Sequence, residues 1–310
     1  MILFRCGSPA LPTPTLTMKK GFSPASAVTV SQFGKSDCAM LPPNNRLVGN
    51  TLLTYDHDDR ILRLKNGRIR LNLLKPEIDD RINVVEPIDR KQIVIGFTSG
   101  LVQTWTIHTN TVSGNPQISN GIYLFGHTAR ITAFTVCREY SIIVSSSDDC
   151  TAIIWDLNEK TYIRSLYGHP SAVTSVASSP RTGEIVTVCS LDNQRHSQLR
   201  LWMINGQLVE AANTDSPILC THWTNAQEGR SCNAILTGHI DGSIQFWSSL
   251  NLARIRTLST SAASCISLAL SKDGLFLFSL GSDGLLSVWA QNDQNKDNRK
   301  PIVVSFGKDQ

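Results

Sequence analysis

The sequence predicts an all-β fold in which repeated four-stranded units form a β-propeller, and three observations support this prediction. First, five of the six tryptophans recur at spacings of 50, 47, 45 and 42 residues, close to the roughly 40–45 residues of one propeller unit. Second, a hydroxyl residue and an aspartate recur at fixed distances before several tryptophans. Third, short segments rich in β-branched and aromatic residues, separated by turn residues, fill the space between them. The recurring tryptophans are Trp105, Trp155, Trp202, Trp247 and Trp289.

A three-residue spacing defines the individual units. A Ser or Thr lies four residues before an Asp, and the Asp lies six residues before the Trp. The sets are Ser145, Asp149 and Trp155; Thr237, Asp241 and Trp247; Ser279, Asp283 and Trp289; and Thr54 and Asp58 with Leu64 in place of the Trp. Two further units are degenerate: the unit ending at Trp105 has Ile95 and Ser99 at the polar positions, and the unit ending at Trp202 has an insertion around 191–198.

Strands are expected in each unit because apolar and β-branched residues come in runs of four to seven, with no sustained helical period. For the three central units the expected strands are 131–136, 141–146, 151–157 and 162–167; 172–177, 185–189, 198–204 and 207–210; and 218–223, 233–237, 243–247 and 254–258. An Asn66-Gly67 pair predicts a type I′ hairpin between strands 60–65 and 68–74.

Six units are recognisable, and the ring is expected to have seven blades. Segments 27–33 and 38–41 are candidate strands of a seventh unit, and 301–306 is expected to form an outer strand. The first 24 residues contain Pro9, Pro12, Pro14 and Pro24, which predicts an extended linker at 1–24 before a propeller at 25–310. We expect the chain to be a fragment or short form of a longer protein.

The recurrence of a hydroxyl residue and an aspartate at fixed distances before the tryptophan has a physical reason. A buried hydroxyl, carboxylate or imidazole is costly unless it finds a hydrogen-bond partner, and grouping them supplies the partners. The residues resemble WD repeats, in which a Gly-His pair, a strand hydroxyl, a turn Asp and the Trp indole form one network per blade. Gly126-His127 with Ser145, Asp149 and Trp155 matches that pattern, and Gly168-His169 with Trp202 matches part of it. The alternative, that His127 and Asp149 are a catalytic acid–base pair, is less favoured.

Longer stretches resemble the C-terminal propeller of BEACH-domain proteins. These stretches are 150–158, 162–166, 168–169, 183–189 and 199–206. Segments 7–9, 59–65 and 301–306 are similar too; the similarity is strong over 121–290 and weaker before residue 80. The resemblance implies a role in vesicle and lysosome-related organelle traffic, with the propeller recruiting proteins and an upstream BEACH domain as a partner in a full-length protein. A cytoplasmic location, peripheral to endolysosomal or vesicle membranes, is expected.

Composition and motif searches favour no catalytic, metal-binding or cofactor-binding role. The chain lacks phosphate-loop, H-E-x-x-H and G-x-S-x-G motifs, and its eight cysteines show no C-x-x-C or zinc spacing, so they are interpreted as reduced thiols. The net charge of +4 is too mild for a dedicated nucleic-acid binder. Acidic residues around His57 are interpreted as turn residues rather than a cation site.

A basic stripe of Arg63, Lys65, Arg68 and Arg70 is predicted on one face of the Asn66-Gly67 hairpin, because alternate strand residues share a face. Such a stripe is more often a solvated outer face, but it also fits an anionic lipid surface, where each cation contributes about 1 kcal/mol.

Two function hypotheses follow from these patterns. The favoured one is a non-enzymatic scaffold whose blade-end loops bind protein partners. The alternative is a substrate receptor of a cullin-type ubiquitin ligase. Such receptors typically carry Arg two residues after a Trp-Asp pair, whereas Trp155-Asp156 is followed by Leu157-Asn158, which weighs against the alternative.

Overall fold

The computed structural model of the chain describes residues 45–48, 51–56, 61–66, 69–73, 80–89, 91–109, 116–191, 195–224, 233–259, 263–271, 276–290 and 302–304. These residues form strands, turns and loops, with no helix among them. The fold is all-β, as the sequence predicts.

The strands assemble into six antiparallel sheets of four, and in every sheet the spatial order follows the chain. The first three sheets consist of β1 (Asn45–Val48), β2 (Thr51–Asp56), β3 (Ile61–Asn66) and β4 (Ile69–Leu73); β5 (Ile82–Pro87), β6 (Gln92–Phe97), β7 (Val102–Thr109) and β8 (Pro116–Leu124); and β9 (Ile131–Cys137), β10 (Ile142–Ser147), β11 (Ala152–Asp156) and β12 (Tyr162–Leu166). The last three consist of β13 (Val173–Ser178), β14 (Ile185–Leu191), β15 (His196–Trp202) and β16 (Leu208–Thr214); β17 (Ile218–Trp223), β18 (Ala234–His239), β19 (Ser243–Ser248) and β20 (Arg254–Ser259); and β21 (Cys265–Leu270), β22 (Phe276–Gly281), β23 (Leu286–Ala290) and β24 (Ile302–Val304).

The first strand of each sheet is the inner strand of the propeller. In chain order, β1 contacts β5, β5 contacts β9, β9 contacts β13, β13 contacts β17 and β17 contacts β21. Hydroxyl groups join some of these neighbours: Thr135 Oγ1 lies 2.9 Å from Ser178 Oγ, and Ser175 Oγ lies 2.7 Å from Thr221 Oγ1. The inner strands are therefore linked by polar side chains as well as by packing.

The core lies between successive sheets, and four of the five recurring tryptophans belong to clusters that include the sheet preceding their own. Trp155 packs with Val94 and Leu124 of the second sheet. Trp202 packs with residues of the third sheet, Trp247 with residues of the fourth and Trp289 with residues of the fifth. Each of these tryptophans thus packs its own sheet onto the preceding one, which is why tryptophans recur once per four-stranded unit in the sequence.

An irregularity recurs at the second residue of the inner strand in sheets two to six, where the register with the second strand shifts by one residue. Such a bulge leaves one residue unpaired and turns its side chain away from the regular pleat. The bulged residues are Asn83, Thr132, Thr174, Leu219 and Ile266.

The strands predicted for the three central units are found within a few residues of their expected bounds. The largest differences are in the fourth sheet, where β16 continues to Thr214 and β15 begins at His196. Both follow from a longer hairpin, in which Ser190 pairs with Ser197 and Leu191 pairs with His196. Segment 302–304 is an outer strand, as predicted, and β24 completes the sixth sheet beside β23. The candidate strands 27–33 and 38–41 and the linker 1–24 lie outside the described residues.

The first sheet requires two corrections. In the hairpin of β3 and β4, Asn66 is the last residue of β3 and pairs with Ile69, whereas the prediction placed Asn66 in the turn. Thr54 pairs with Arg63 and Leu64 pairs with Leu53, which puts Leu64 on the opposite face of the sheet from Thr54. Leu64 therefore does not occupy the tryptophan position; the longer connection between β2 and β3 shifts the register by one residue.

Candidate functional site: buried polar networks and the exposed end of the propeller

Four polar side chains of the third sheet form one continuous set of hydrogen bonds. The indole Nε1 of Trp155 donates to Ser145 Oγ at 2.8 Å. The same oxygen lies 2.8 Å from His127 Nε2, and His127 Nδ1 lies 2.8 Å from Asp149 Oδ2. Ser145 is completely buried. The structure therefore brings together all four residues that the sequence grouped here.

The direction of each hydrogen bond follows from what each atom can do. A carboxylate only accepts, so His127 Nδ1 carries the hydrogen that it donates to Asp149. In the neutral ring Nε2 then accepts, and the Ser145 hydroxyl donates to it while accepting from the Trp155 indole. Every polar atom in the set is satisfied with His127 uncharged.

Electrostatics agree with this assignment. Burial lowers the pKa of His127, and the opposing effect of the Asp149 charge does not reverse the shift. Burial alone raises the pKa of Asp149, but hydrogen bonds from Thr151, Thr128 and His127 outweigh it, and the pKa of Asp149 is lowered. Thr151 Oγ1 donates to Asp149 Oδ1 at 2.6 Å and the Thr128 amide to Oδ2 at 3.0 Å. An ionised Asp149 therefore faces a neutral His127.

The fourth sheet repeats the arrangement with a different acceptor. Trp202 Nε1 donates to Thr187 Oγ1 at 2.9 Å, and Thr187 Oγ1 lies 2.8 Å from His169 Nε2. His169 Nδ1 lies 3.2 Å from the carbonyl oxygen of Cys150, which belongs to the β10–β11 turn of the third sheet. Burial, with a smaller effect of nearby Arg200, lowers the pKa of His169 to about 4. Thr187 is a member of the network that the sequence pattern missed.

The fifth sheet obtains its histidine from a different place in the chain. Trp247 Nε1 donates to Thr237 Oγ1 at 2.9 Å, and Thr237 Oγ1 lies 2.9 Å from Nε2 of His239, two residues further along β18. His239 Nδ1 lies 3.0 Å from the Ser216 carbonyl, and burial lowers the pKa of His239. Asp241 caps its own turn, accepting from the amide and hydroxyl of Ser243. His239 does follow Gly238, but this Gly-His pair lies at the end of β18 and not before the inner strand, so the sequence pattern did not identify it.

The remaining networks are smaller. In the sixth sheet Trp289 Nε1 donates to Ser279 Oγ at 3.1 Å, and Asp283 Oδ1 accepts from the Leu285 amide at 3.0 Å. In the second sheet Trp105 Nε1 is buried without a hydrogen-bond partner. Ile95 occupies the position that a hydroxyl residue fills elsewhere, so the structure explains the unpaired indole directly.

Strand register explains why these networks share one geometry. In the second to sixth sheets the tryptophan lies two residues after the residue that pairs with the hydroxyl position. Thr187 pairs with Arg200 and so meets Trp202, although 15 residues rather than 10 separate the two. The pairing, and not the residue count, aligns the hydroxyl with the indole.

The His127–Asp149 pair of the third sheet is held inside the fold. The side chain of His127 is wholly buried and that of Asp149 is 9% exposed, and the hydrogens and lone pairs of the histidine are used within the fold. Within the described ranges, no group of three or more His, Cys, Asp or Glu side chains is placed to hold a metal ion. These contacts tie the third-sheet network into the fold.

One surface with exposed apolar side chains lies at the end of the propeller where the inner strands begin. Phe125 and Tyr167 directly precede the Gly-His pairs of the third and fourth sheets, and they are 76% and 66% exposed. Leu219 and Ile266, the bulged residues of β17 and β21, are exposed, as is Ile240 in the turn after β18. The corresponding bulged residues Asn83 and Thr132 are polar and donate to the first carbonyl of the next inner strand. This end therefore carries apolar groups that no part of the described chain covers.

The chain matches the WD40 family (WD domain, G-beta repeat) at residues 119–156, 160–194 and 253–290. Among solved structures, the C-terminal WD40 domain of Sif2 superposes with a TM-score of 0.59 at 20% identity, covering 79% of this chain and 67% of that one. The computationally designed Ika8 protein gives 0.58 at 21% identity, covering 79% and 70%. At these identities the likeness establishes the fold.

Three relatives extend the comparison beyond the fold. The chain is 35% identical over 263 residues to the lysosomal-trafficking regulator of Homo sapiens, covering 83% of this chain and 7% of that protein. It is 31% identical over 163 residues to protein SPIRRIG and 32% identical over 163 residues to BEACH domain-containing protein A2, both of Arabidopsis thaliana, each covering 51% of this chain and 4% of the relative. The chain thus spans a small part of each relative. It is a WD-repeat β-propeller, and its homologues are BEACH-domain proteins, which it matches in their C-terminal WD region.

Proposed function

We propose that the chain is a non-enzymatic protein-binding scaffold that acts in vesicle and lysosome-related organelle traffic, in the cytoplasm and peripherally on endolysosomal or vesicle membranes. The observation that carries the binding role is the set of exposed apolar side chains at the end where the inner strands begin, including Phe125 and Tyr167. Binding residues concentrate on loops held by a rigid framework, and uncovered apolar groups there mark contact surfaces.

Support for the trafficking role comes from the relatives, one of which is named a lysosomal-trafficking regulator. Support for a non-enzymatic role comes from the networks, because the histidine and aspartate that most resemble an acid–base pair are buried and fully used within the fold. In a longer protein, an upstream BEACH domain is the nearest partner that we propose. Within the described residues no helix has the length and apolarity to cross a bilayer.

Proximity labelling tests the proposal. The 310-residue chain and a Phe125→Ser, Tyr167→Ser variant are each fused to a labelling enzyme, and a Leu250→Ser variant serves as the control. Leu250 is 82% exposed and lies in the β19–β20 turn at the opposite end of the fifth sheet. We expect endolysosomal or vesicle-tethering proteins to be labelled by the parent and the control and to be lost from the double variant. Labelling that is the same for all three contradicts the role of this surface.

The ubiquitin-ligase alternative has no support in the comparisons. The position at which such receptors typically carry Arg is Asn158, whose amide donates to Asp156 Oδ1 at 2.7 Å within a tight turn. Enrichment of ubiquitin-ligase adaptors in the labelling experiment, in place of trafficking proteins, would overturn the scaffold proposal in favour of this alternative.

A peripheral lipid contact is a second proposal, carried by the hairpin of β3 and β4. The register pairs Lys65 with Arg70 and Arg63 with Asn72, so three of the four predicted cations occupy positions on one face of this hairpin, and Arg68 lies outside the described residues. Reversing the charge at Lys65 and Arg70 should weaken sedimentation with vesicles that contain anionic lipid and leave neutral vesicles unaffected. Equal sedimentation of the parent and the variant would exclude the contact.

A further inference from the structure

Two cysteines from neighbouring inner strands meet at one point of the propeller. Cys265 is the first residue of β21 and Cys220 is the third residue of β17, and β17 and β21 are in contact. Both sulphur atoms lie beside Gly238 of β18: a Cβ at residue 238 would stand 2.6 Å from Cys220 Sγ and 2.7 Å from Cys265 Sγ. The glycine therefore leaves open the space in which the two thiols face each other.

The other sheets fill the same positions with residues that have no thiol. The inner strands of the second to fifth sheets begin with Ile or Val, and the third residues of the inner strands in the second to fourth sheets are Val84, Ala133 and Ser175. Only between the fifth and sixth described sheets does the contact of successive inner strands bring together two sulphur atoms. The pair is thus a local feature, separate from the hydroxyl links at Thr135 and Ser175.

Accessibility and acidity differ between the two thiols. Cys220 is partly exposed, whereas Cys265 is buried. The Cys220 Sγ–H group also lies 3.5 Å from the Cys265 carbonyl oxygen. A side-chain hydrogen bond from Cys220 lowers the pKa of Cys265, and the same hydrogen bond together with burial raises the pKa of Cys220. One thiol of the pair therefore loses its proton more readily than an isolated buried cysteine.

We propose that Cys220 and Cys265 are an oxidation site that closes to a disulfide between the fifth and sixth sheets when the chain meets a peroxide. One sulphur attacks the peroxide, takes one oxygen and becomes a sulfenic acid, and the peroxide leaves as water. The second sulphur attacks the sulfenic sulphur, the S–S bond forms and a second water leaves. Two thiols and one hydrogen peroxide thus give one disulfide and two waters.

Formation of the Cys220–Cys265 disulfide would have a measurable effect on stability. The bond joins residues 45 positions apart in the chain, and cross-links that close loops of this length restrict the unfolded chain. The chain therefore has two covalent states of the same fold, and the oxidised state should unfold at a temperature higher by about 5 °C or more.

The test is a peptide map of the intact chain. The 310-residue protein is treated with hydrogen peroxide, free thiols are blocked, and the protein is digested with trypsin without reduction. We expect the peptide 201–230 linked to the peptide 257–272, with the mass of the sum less two hydrogen atoms, and separation of the two on reduction. Cys189, whose pKa burial raises to about 11, should remain a blocked free thiol and serves as the internal control.

Two outcomes overturn the proposal. One is the recovery of Cys220 and Cys265 as separately blocked or separately over-oxidised residues. The other is a rise in unfolding temperature after oxidation that persists in a Cys220→Ser variant, since that variant cannot form the bond. The expected result is a rise in the parent, reversal by a thiol reductant, and no rise in Cys220→Ser or Cys265→Ser.

Discussion

Ser145→Ala should be one of the most damaging single substitutions of a small side chain in this propeller. The change removes one oxygen that is fully buried and joins two partners at 2.8 Å, the Trp155 indole and the His127 imidazole. Each polar group left buried without a partner costs about 1–3 kcal/mol. Two such groups would together cost about 2–6 kcal/mol of unfolding free energy. Because Trp105 shows that the fold accommodates one unpaired indole, we expect a loss in the lower part of this range, about 2–3 kcal/mol. For a chain of this size the midpoint of thermal unfolding should fall by about 3–5 °C.

A double-mutant cycle distinguishes the hydrogen bond from the mere removal of an atom. Ser145→Ala, Trp155→Phe and the double variant are unfolded in urea at pH 7, and the free energies of unfolding are compared. Because the indole N–H and the hydroxyl are partners, the double variant should lose less stability than the sum of the single variants, by about 1 kcal/mol. If Ser145→Ala changes stability by less than about 0.5 kcal/mol, or if the two losses simply add, the network does not stabilise the sheet in the way described.

Acid should destabilise the fold. Burial lowers the pKa of the three network histidines below the ordinary 6.5, in one case to about 4. The unfolded chain therefore binds more protons than the folded chain in this pH range, and the free energy of unfolding decreases as the pH falls from 7 towards 4. Equal urea midpoints at pH 7 and pH 5 would contradict this. Ile95→Thr should cost about 1 kcal/mol less than Ile93→Thr in the same strand, because only the first supplies a hydroxyl to the unpaired Trp105 indole; equal losses in chemical denaturation would refute that role. Gly183→Ala should lower the unfolding temperature more than Gly284→Ala, since both have positive φ (72° and 78°) but only the first would put a Cβ 2.9 Å from a neighbouring aromatic ring; equal shifts would show that backbone strain alone decides the cost.

The repeat itself was visible in the sequence because the residues that define it are chemically distinctive. Tryptophan is rare, and its position is fixed by packing against the preceding sheet, as Trp155 does against Val94 and Leu124. The complete network of the third sheet could be named from the spacing, since its four members keep the distances of a WD repeat.

The sequence analysis missed or misassigned residues where the number of residues between two positions does not determine how the strands pair. Thr187 was missed because a longer hairpin puts 15 residues between it and Trp202. His239 was missed because the imidazole comes from the strand and not from the segment before the inner strand. Leu64 was assigned wrongly because a one-residue change in the β2–β3 connection moves every later residue to the opposite face. Which residues share a face depends on loop length, which spacing alone does not reveal.

The lengthened hairpin of the fourth sheet also bears on how such a molecule acquires new binding properties. Its additional described residues extend the pairing, Ser190 with Ser197 and Leu191 with His196, while Thr187 and Trp202 keep the alignment seen in their counterparts. Insertions at the tips of these hairpins can therefore be selected for recognition without disturbing the interior. Insertion of a short epitope between Leu191 and His196 would test whether this hairpin tolerates added residues. The epitope would lie at the same end of the propeller as Phe125 and Tyr167.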